Sequence, residues 1–465
     1  MPSPAANDLI AWCRERRERF LGDLGAWIAI PSISADPSKK ADVARCGAAV
    51  VERMLAIGMS RAMLLPTAGN PIAYGEWLGA PGKPTILIYG HYDVQPVDPL
   101  ELWTSPPFES SVRDGKIYGR GAVDDKGQVL MHLAAIEAHL RVRGALPINI
   151  KVVIEGEEEI GSPSFEQFIS AQRELLACDV AVISDTAVFS EDVPSLTVSL
   201  RGLTALEVTV DGPASDLHSG YYGGMVRNPI EALCNLLSGL KDERGHVVVD
   251  GFYDGVPELS ALERAEIRAL PFDEAREAGA LGVPSLWGER DFLPLERVWH
   301  RPTLEINGIW GGYQGPGSKT IIPSWAKAKL TMRLVGDQDP VNVGEAVRAH
   351  LTQHAPQGVR VSVASDHGPV RAVSTSRDHP AVQAAATAME RGFGKPPVYI
   401  GTGGSIGPVG SFDRMLHLPQ VLIGVGLPDD AIHAPNEKFD LQQFYGGIET
   451  MVYLYDELAA RLQPA

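Results

Sequence analysis

TILIYGHYDVQP, residues 85–96, is the stretch from which the fold is read. Thr85 to Gly90 form a continuous apolar run that stops at glycine, the pattern of a buried strand. His91 and Asp93 follow at once. In open α/β sheets ligands gather beyond the carboxyl ends of the strands, so this histidine and aspartate are expected at a crevice. A surface turn with an ordinary His–Asp hydrogen bond fits the hexapeptide HYDVQP, 91–96, equally well, and the neighbouring segments have to separate the two.

Outward from this strand, 148–156 and 180–184 repeat the apolar run, and QVLMHLAAIEAHLRVRG, 128–144, reads as the helix between the first two. Strand, helix, strand is α/β grammar. Residues near 7–29 have helical spacing, ended by Pro31. After Leu196 the pattern changes to strict alternation in LTVSLRGLTALEVTVDG and again in AKAKLTMRLV, 326–335, with helices expected at NPIEALCNLLSGL and 341–353, and a last strand at 359–365. Buried periodicity then returns, as a helix in PAVQAAATAMERGFG and a strand in VLIGVG, 421–426. The expectation is an α/β fold: a mixed-sheet, three-layer domain built from 1–194 and 371–465, with an α+β domain inserted at 195–370. The charge- and proline-rich stretch 245–305 yields no elements.

The chain has 465 residues, enough for more than one core. Its formal net charge of -17 argues against nucleic acid or an anionic membrane as partner. Cys13, Cys46, Cys178 and Cys234 are scattered, so neither a disulfide framework nor a thiolate metal site is expected. No export signal and no run of about 20 apolar residues is found, and the cytoplasm is the expected location.

Three more acidic signals repeat the first. GRGAVDDKG, 119–127, sets Asp124 and Asp125 before a helix, where an aspartate also serves as a cap. VVIEGEEEIGS, 152–162, runs a strand into Glu155, Glu157, Glu158 and Glu159. Such crowding costs free energy through repulsion and desolvation unless water or a cation relieves it. AVISDTA ends an apolar run at Asp185, and GLPDDAIHAPNEKFD brings His433 with Asn436 and Glu437 behind it. His91, Asp124, Glu159, Asp185 and His433 together offer two imidazoles and three carboxylates, a nitrogen and oxygen set that zinc accepts. Two cations ~3.5–4 Å apart can share one carboxylate. HExxH is absent, and GTGGSIG, 401–407, lacks the GKS or GKT of a phosphate loop.

The motifs GHYDVQP, GRGAVDDKGQ, EGEEEIGS, ISD, DLHSGYYGG, PGSKTIIP, MRLVGDQDP, GGSIGP and HAPNEK occur in this order along nearly the whole chain. In them the sequence resembles the dinuclear-zinc metallopeptidases that include carnosinases, peptidase T, aminoacylases and succinyl-diaminopimelate desuccinylase, and within these the carnosinase-like dipeptidases. The resemblance implies two divalent ions per subunit, Zn²⁺ first, with Mn²⁺ and Co²⁺ also suited to such ligands. His91 and Asp185 would hold one ion, Glu159 and His433 the other, and Asp124 both, with a cis peptide between Asp124 and Asp125. Asp93 would orient His91, and Glu158 would be the general base and then the acid. The inserted domain would be a lid and dimer interface, with His218 reaching the active site of the partner in a homodimer. Arg333 would hold the substrate carboxylate. Thr320, Gly404, Ser405 and His379 are further substrate contacts. Two departures stand out: Gly401-Thr402 replaces an Arg-Glu pair before GGSI, and Gly407 precedes Pro408.

The implied reaction is hydrolysis of dipeptides or short peptides with a free C-terminal carboxylate. An N-acyl amino acid amidohydrolase could use the same groups. A metal-dependent interaction protein of the same fold would be expected to have lost Glu158 or a ligand, and this chain has both.

Overall fold

The structure, a computed structural model, describes residues 4–463. The chain divides into two compact units. One runs to Val198 and resumes with Thr375–Ile400 and from Gly407 onward, and the other is Ser199–Ser374 with Gly401–Ile406. The short stretch 401–406 thus joins the inserted unit, not the catalytic one as the sequence suggested.

The catalytic unit is a mixed α/β layer structure. Its sheet has the order Arg61–Leu65, Ile72–Trp77, Asn149–Glu155, Thr85–His91, Val180–Ile183, Gln420–Leu422, Ser195–Leu200. The four central strands, Asn149–Glu155 through Gln420–Leu422, run parallel, and the strands outside them pair antiparallel. His91 pairs in register with Glu155, so two neighbouring strands end together. Successive side chains point to opposite faces, and both faces are covered. On one, Gly90 lies under the helix Lys126–Val142: a Cβ there would come within 2.5 Å of Val129 and 2.6 Å of Asp125 Oδ2. On the other, Tyr89 meets the rings of Phe165 and Phe412 edge-on at 5.5 and 5.6 Å, from the helices Phe165–Ala171 and Gly407–Leu416. The helix Lys126–Val142 is buried for most of its length because the C-terminal helix Leu441–Arg461 packs over it.

Most of the elements expected from the sequence lie within two residues of their bounds, but the strand expected over 359–365 runs from Arg360 to Val370, and the helices Lys40–Ile57 and Leu441–Arg461 were not expected at all. Three further readings differ. The expected N-terminal helix is two, Pro4–Arg14 and Arg17–Ile28. VLIGVG keeps only Gln420–Leu422 in the ladder. Beyond it the backbone turns to bond Thr186, with Gly424 N donating to Thr186 Oγ1 at 2.8 Å, and a Cβ at Gly424 would overlap the Thr186 carbonyl. The stretch 245–305 contains the helices Ala261–Ala269, Glu274–Ala280 and Pro294–His300. Ser260 and Glu263 form a capping box at the first of these and Asp273 caps the second, signals that the charge of the segment hid.

The inserted unit is an antiparallel sheet of order Thr303–Gly311, Trp325–Leu334, Gly202–Asp211, Arg360–Val370. Even-numbered residues of its two central strands, such as Leu206, Val208, Leu330 and Met332, form a core with the helices Pro229–Ser238 and Pro340–Gln353, joined by Val361 and Val363 of the edge strand. Odd-numbered residues of the central strands, including Lys327, Lys329, Thr331 and Arg333, occupy the opposite face. Among the described residues no helix is long and apolar enough to cross a membrane.

Candidate metal centre

The site is built where the parallel strands of the catalytic unit stop. His91 is the last residue of its strand and is fully buried. Its backbone N–H donates to Asp125 Oδ2 at 3.2 Å. One ring nitrogen, Nδ1, lies 3.1 Å from the Asp93 carbonyl and 3.4 Å from Asp93 Oδ1, and the other, Nε2, lies 3.0 Å from Asp124 Oδ1. The second oxygen of Asp124 faces His433 Nε2 at 3.1 Å, and the same nitrogen is 3.2 Å from Glu159 Oε2. Ligand atoms of His91, Asp124 and Glu159 lie within 4.8 Å of one another.

Local structure explains how each group arrives. Asp125 occupies the cap position of the helix Lys126–Val142 but makes no side-chain cap bond. The cap explanation for the aspartate pair therefore does not hold, and both carboxylates turn to the site. The Asp124–Asp125 peptide is cis. Asp93 does more than face His91: its two carboxylate oxygens accept the backbone N–H groups of Glu158 and Glu159, at 3.3 and 3.1 Å. Gln95 of the same hexapeptide donates to Glu159 Oε2 at 2.9 Å. Glu437, buried and paired with Arg120 at 2.7 Å, accepts from the backbone of Gly121, Val123 and Asp124 and so fixes the loop that carries Asp124. His433 is held with φ of 62°, in the left-handed region. Asp185, just past Val180–Ile183, makes no hydrogen bond to this set, but its carboxyl feels the charges of Asp125, His91, Asp124 and Glu158.

The electrostatics are those of crowded like charges. Burial opposes the charge of His91, yet its bonds to Asp124 and Asp93 outweigh this and raise its pKa well above the usual value. Asp124 and Glu159 push His433 up to about 10. Burial raises Asp185 and Asp125 far above ordinary carboxyls, with neighbouring carboxylates adding to it. Glu158 is pushed up to about 7 by burial, against His91 and with Glu159, Asp124 and Asp93. One buried oxygen, Asp125 Oδ1, has no partner at all. Imidazole nitrogens and carboxylate oxygens that face each other in this way suit a divalent cation, and a bound cation would invert the local pKa logic.

The remaining expected residues divide differently. In the inserted unit Arg333 Nη1 donates to Ser405 Oγ at 2.9 Å, and Ser405 Oγ in turn donates to the Arg201 carbonyl. Gly404 contributes its carbonyl to Arg201 N at 3.2 Å. Arg201 escaped the sequence reading, where its only signal is a cation interrupting an alternating run. His218 is exposed, pairs with Ile321 and accepts from Gly220 N at 3.0 Å, and the neighbouring Thr320 carbonyl accepts from Ser219. His379 lies apart from both groups in its bonding: its Nδ1 caps the helix Pro380–Phe393 by accepting from Ala381 N.

A buried imidazole–carboxylate cluster at the strand ends of a mixed α/β unit defines a metal-dependent hydrolase. The chain belongs to peptidase family M20/M25/M40, matched over residues 87–457, and is a metallopeptidase. The Cys-Gly metallodipeptidase dug1 of Schizosaccharomyces pombe is 32% identical over 465 residues, 96% of this chain and 97% of that protein. The M20 family metallo-carboxypeptidase Sso-CP2 of Sulfolobus solfataricus superposes with a TM-score of 0.81 at 33% identity, covering 95% of this chain and 99% of that one. Human carnosine dipeptidase 1 superposes with a TM-score of 0.79 at 30% identity, covering 99% and 100%.

Proposed function

We propose that the protein hydrolyses dipeptides and short peptides that end in a free carboxylate, with two divalent ions per chain. The observation that carries this is Asp124, whose two oxygens face separate imidazoles, His91 at 3.0 Å and His433 at 3.1 Å. His91 and Asp185 would hold one ion, Glu159 and His433 the other, and Asp124 both. Bound there, Zn²⁺, Mn²⁺ or Co²⁺ supplies Lewis acidity for the scissile carbonyl and lowers the pKa of water.

The side chains do the rest. Glu158, its backbone tethered by Asp93, takes the proton of the attacking water at its carboxylate and gives it to the leaving amine. Asp93 keeps His91 in one orientation. His218 donates to the oxyanion that develops on the substrate. Arg333 offers a planar fork to the substrate carboxylate, with Ser405 holding that fork in place. Exposed Tyr221 and Met225 beside His218 leave an apolar surface suited to a second copy of the chain, so a homodimer completes the reading. Its location is the cytoplasm. The names of the full-length relatives, a Cys-Gly metallodipeptidase and a carnosine dipeptidase, support a dipeptide substrate.

The test is a panel of dipeptides, their C-terminal amides and N-acetyl amino acids on protein of defined metal content. Turnover of free dipeptides well above amides and acyl amino acids is expected. Preference for the acyl compounds would replace this reading with an amidohydrolase.

A further inference from the structure

A cavity of about 420 Å³ in the inserted unit is lined by five basic side chains, Arg201, Lys241, Arg297, Arg301 and Arg333, in a chain whose net charge is -17. Two of the five are answered by carboxylates within the unit, Arg301 by Glu289 at 2.7 Å and Lys241 by Glu305 at 3.4 Å. Arg297 donates to the backbone carbonyl of Glu289 at 2.8 Å. Arg201 and Arg333, which lie side by side, are not answered by an acid. Among the described residues neither has a carboxylate at ion-pair distance. Arg201 Nε donates to the Gly403 carbonyl at 3.1 Å, while its Nη1 is buried with no partner. Among the described residues the one acid whose field reaches Arg201 is Glu305, already engaged by Lys241. Burial, and then Arg333, pull the Arg201 guanidinium down to about 10.

The register places the two arginines. Arg333 pairs with Leu203, and Arg201, two residues before Leu203, shares its face if the strand is continued. The two are diagonal neighbours, a relation with side-chain roots ~7–8 Å apart. Each guanidinium has its own anchor, Gly403 for one and Ser405 for the other. Two separately anchored cations without counter-charge fit two carboxylates on one small ligand better than one carboxylate shared between them.

We propose that this pocket selects an acidic residue on the leaving side of the scissile bond, Arg201 holding its side-chain carboxylate beside the α-carboxylate held by Arg333. The proposal rests on the role given to Arg333 above. An amide in place of the side-chain carboxylate would offer one neutral acceptor oxygen where the carboxylate offers two charged ones, and would turn its N–H donors toward a guanidinium that has only donors, so the bidentate, charge-assisted pairing is lost.

The experiment compares kcat/KM of the metal-loaded enzyme for alanyl-aspartate, alanyl-asparagine and alanyl-alanine. The aspartate substrate is expected to exceed the asparagine one by roughly tenfold or more, the scale of a hydrogen bond to a charged group. Arg201→Gln should bring that ratio close to one, with Arg201→Lys between. Titration of free aspartate against free asparagine into the same protein should show the same order and reads the pocket without turnover. A ratio near one in the unmodified enzyme overturns the assignment, whether or not a variant folds. So does equal loss on all three substrates in Arg201→Gln, which would make Arg201 a second donor to the α-carboxylate. If no dipeptide is hydrolysed, the proposed function fails, while the aspartate titration still decides the pocket.

Discussion

The strand ends of the catalytic unit gather carboxylates around two imidazoles, and the outer face of the inserted sheet gathers guanidinium groups around a small cavity. Both are unbalanced, with opposite signs. In the first, the neighbours are themselves titratable, and Asp124 has imidazoles on both oxygens. In the second, the anchors are neutral, a carbonyl and a hydroxyl, and the charge of Arg201 and Arg333 is left over. Elsewhere on the same sheet face such charges are matched: Lys327 bonds Glu207 at 2.8 Å and Lys329 bonds Asp366 at 2.9 Å. Imbalance is thus local, which is what the proposed reading requires of two sites for ligands of opposite charge, a metal cation in one unit and a substrate carboxylate in the other.

The comparison is broken most sharply by separating metal holding from proton transfer. Glu158→Gln is expected to keep the full metal content and lose ~10²–10⁴-fold in kcat, measured by steady-state kinetics beside elemental analysis. Loss of metal in this variant, with metal retained in Glu159→Gln, would exchange the two roles. Next comes Asp93→Asn, which weakens the bonds to the Glu158 and Glu159 backbone and the support of His91. Metal affinity should fall ~10–100-fold, as read by competition with a chelator dye.

On the basic side, Arg333→Ala should lower kcat/KM for free dipeptides by roughly 10–100-fold and leave little difference between a dipeptide and its amide. If the parent enzyme already treats the two alike, the carboxylate clamp is wrong. The smallest effect is on stability. Stripping the metals removes a ligand that binds only the folded state, and amide exchange should quicken at 91–93, 124–125 and 157–159 while the sheet of the inserted unit is unchanged. Uniform loosening of both units would mean that the cluster does not stabilise its own unit selectively.

Buried parallel strands are legible because they are written as unbroken apolar runs, and each such run here ends in a glycine or an acid that belongs to the site. His91, Glu159 and Asp185 could be found for that reason, and Asp124 because a glycine-rich approach sets two aspartates before a helix. Glu437 was visible only as a residue behind His433, since its role lies in bonds to a backbone more than three hundred residues away. Arg201 was hidden more completely: a lone arginine in an alternating strand reads as an outward residue, and only the absence of a carboxylate around it gives it meaning. The three helices in 245–305 were obscured because charged, short helices carry little apolar periodicity.

The bonds from Glu437 to Gly121, Val123 and Asp124 also set an order of events in the making of the molecule. The inserted unit is almost complete once Ser374 has emerged, but the loop that carries Asp124 lacks the carboxylate that accepts from Gly121, Val123 and Asp124 until the chain reaches Glu437. At ~5–20 residues per second of synthesis, the acidic half of the centre, complete at Asp185, waits roughly ten to fifty seconds for its second histidine and its tether. Once Ser405 has emerged the nascent chain holds both arginines and their anchors but not yet Glu437, so that a premature stop between Ser405 and His433 is expected to leave the proposed carboxylate pocket complete and the metal centre without its second histidine and the tether of its loop.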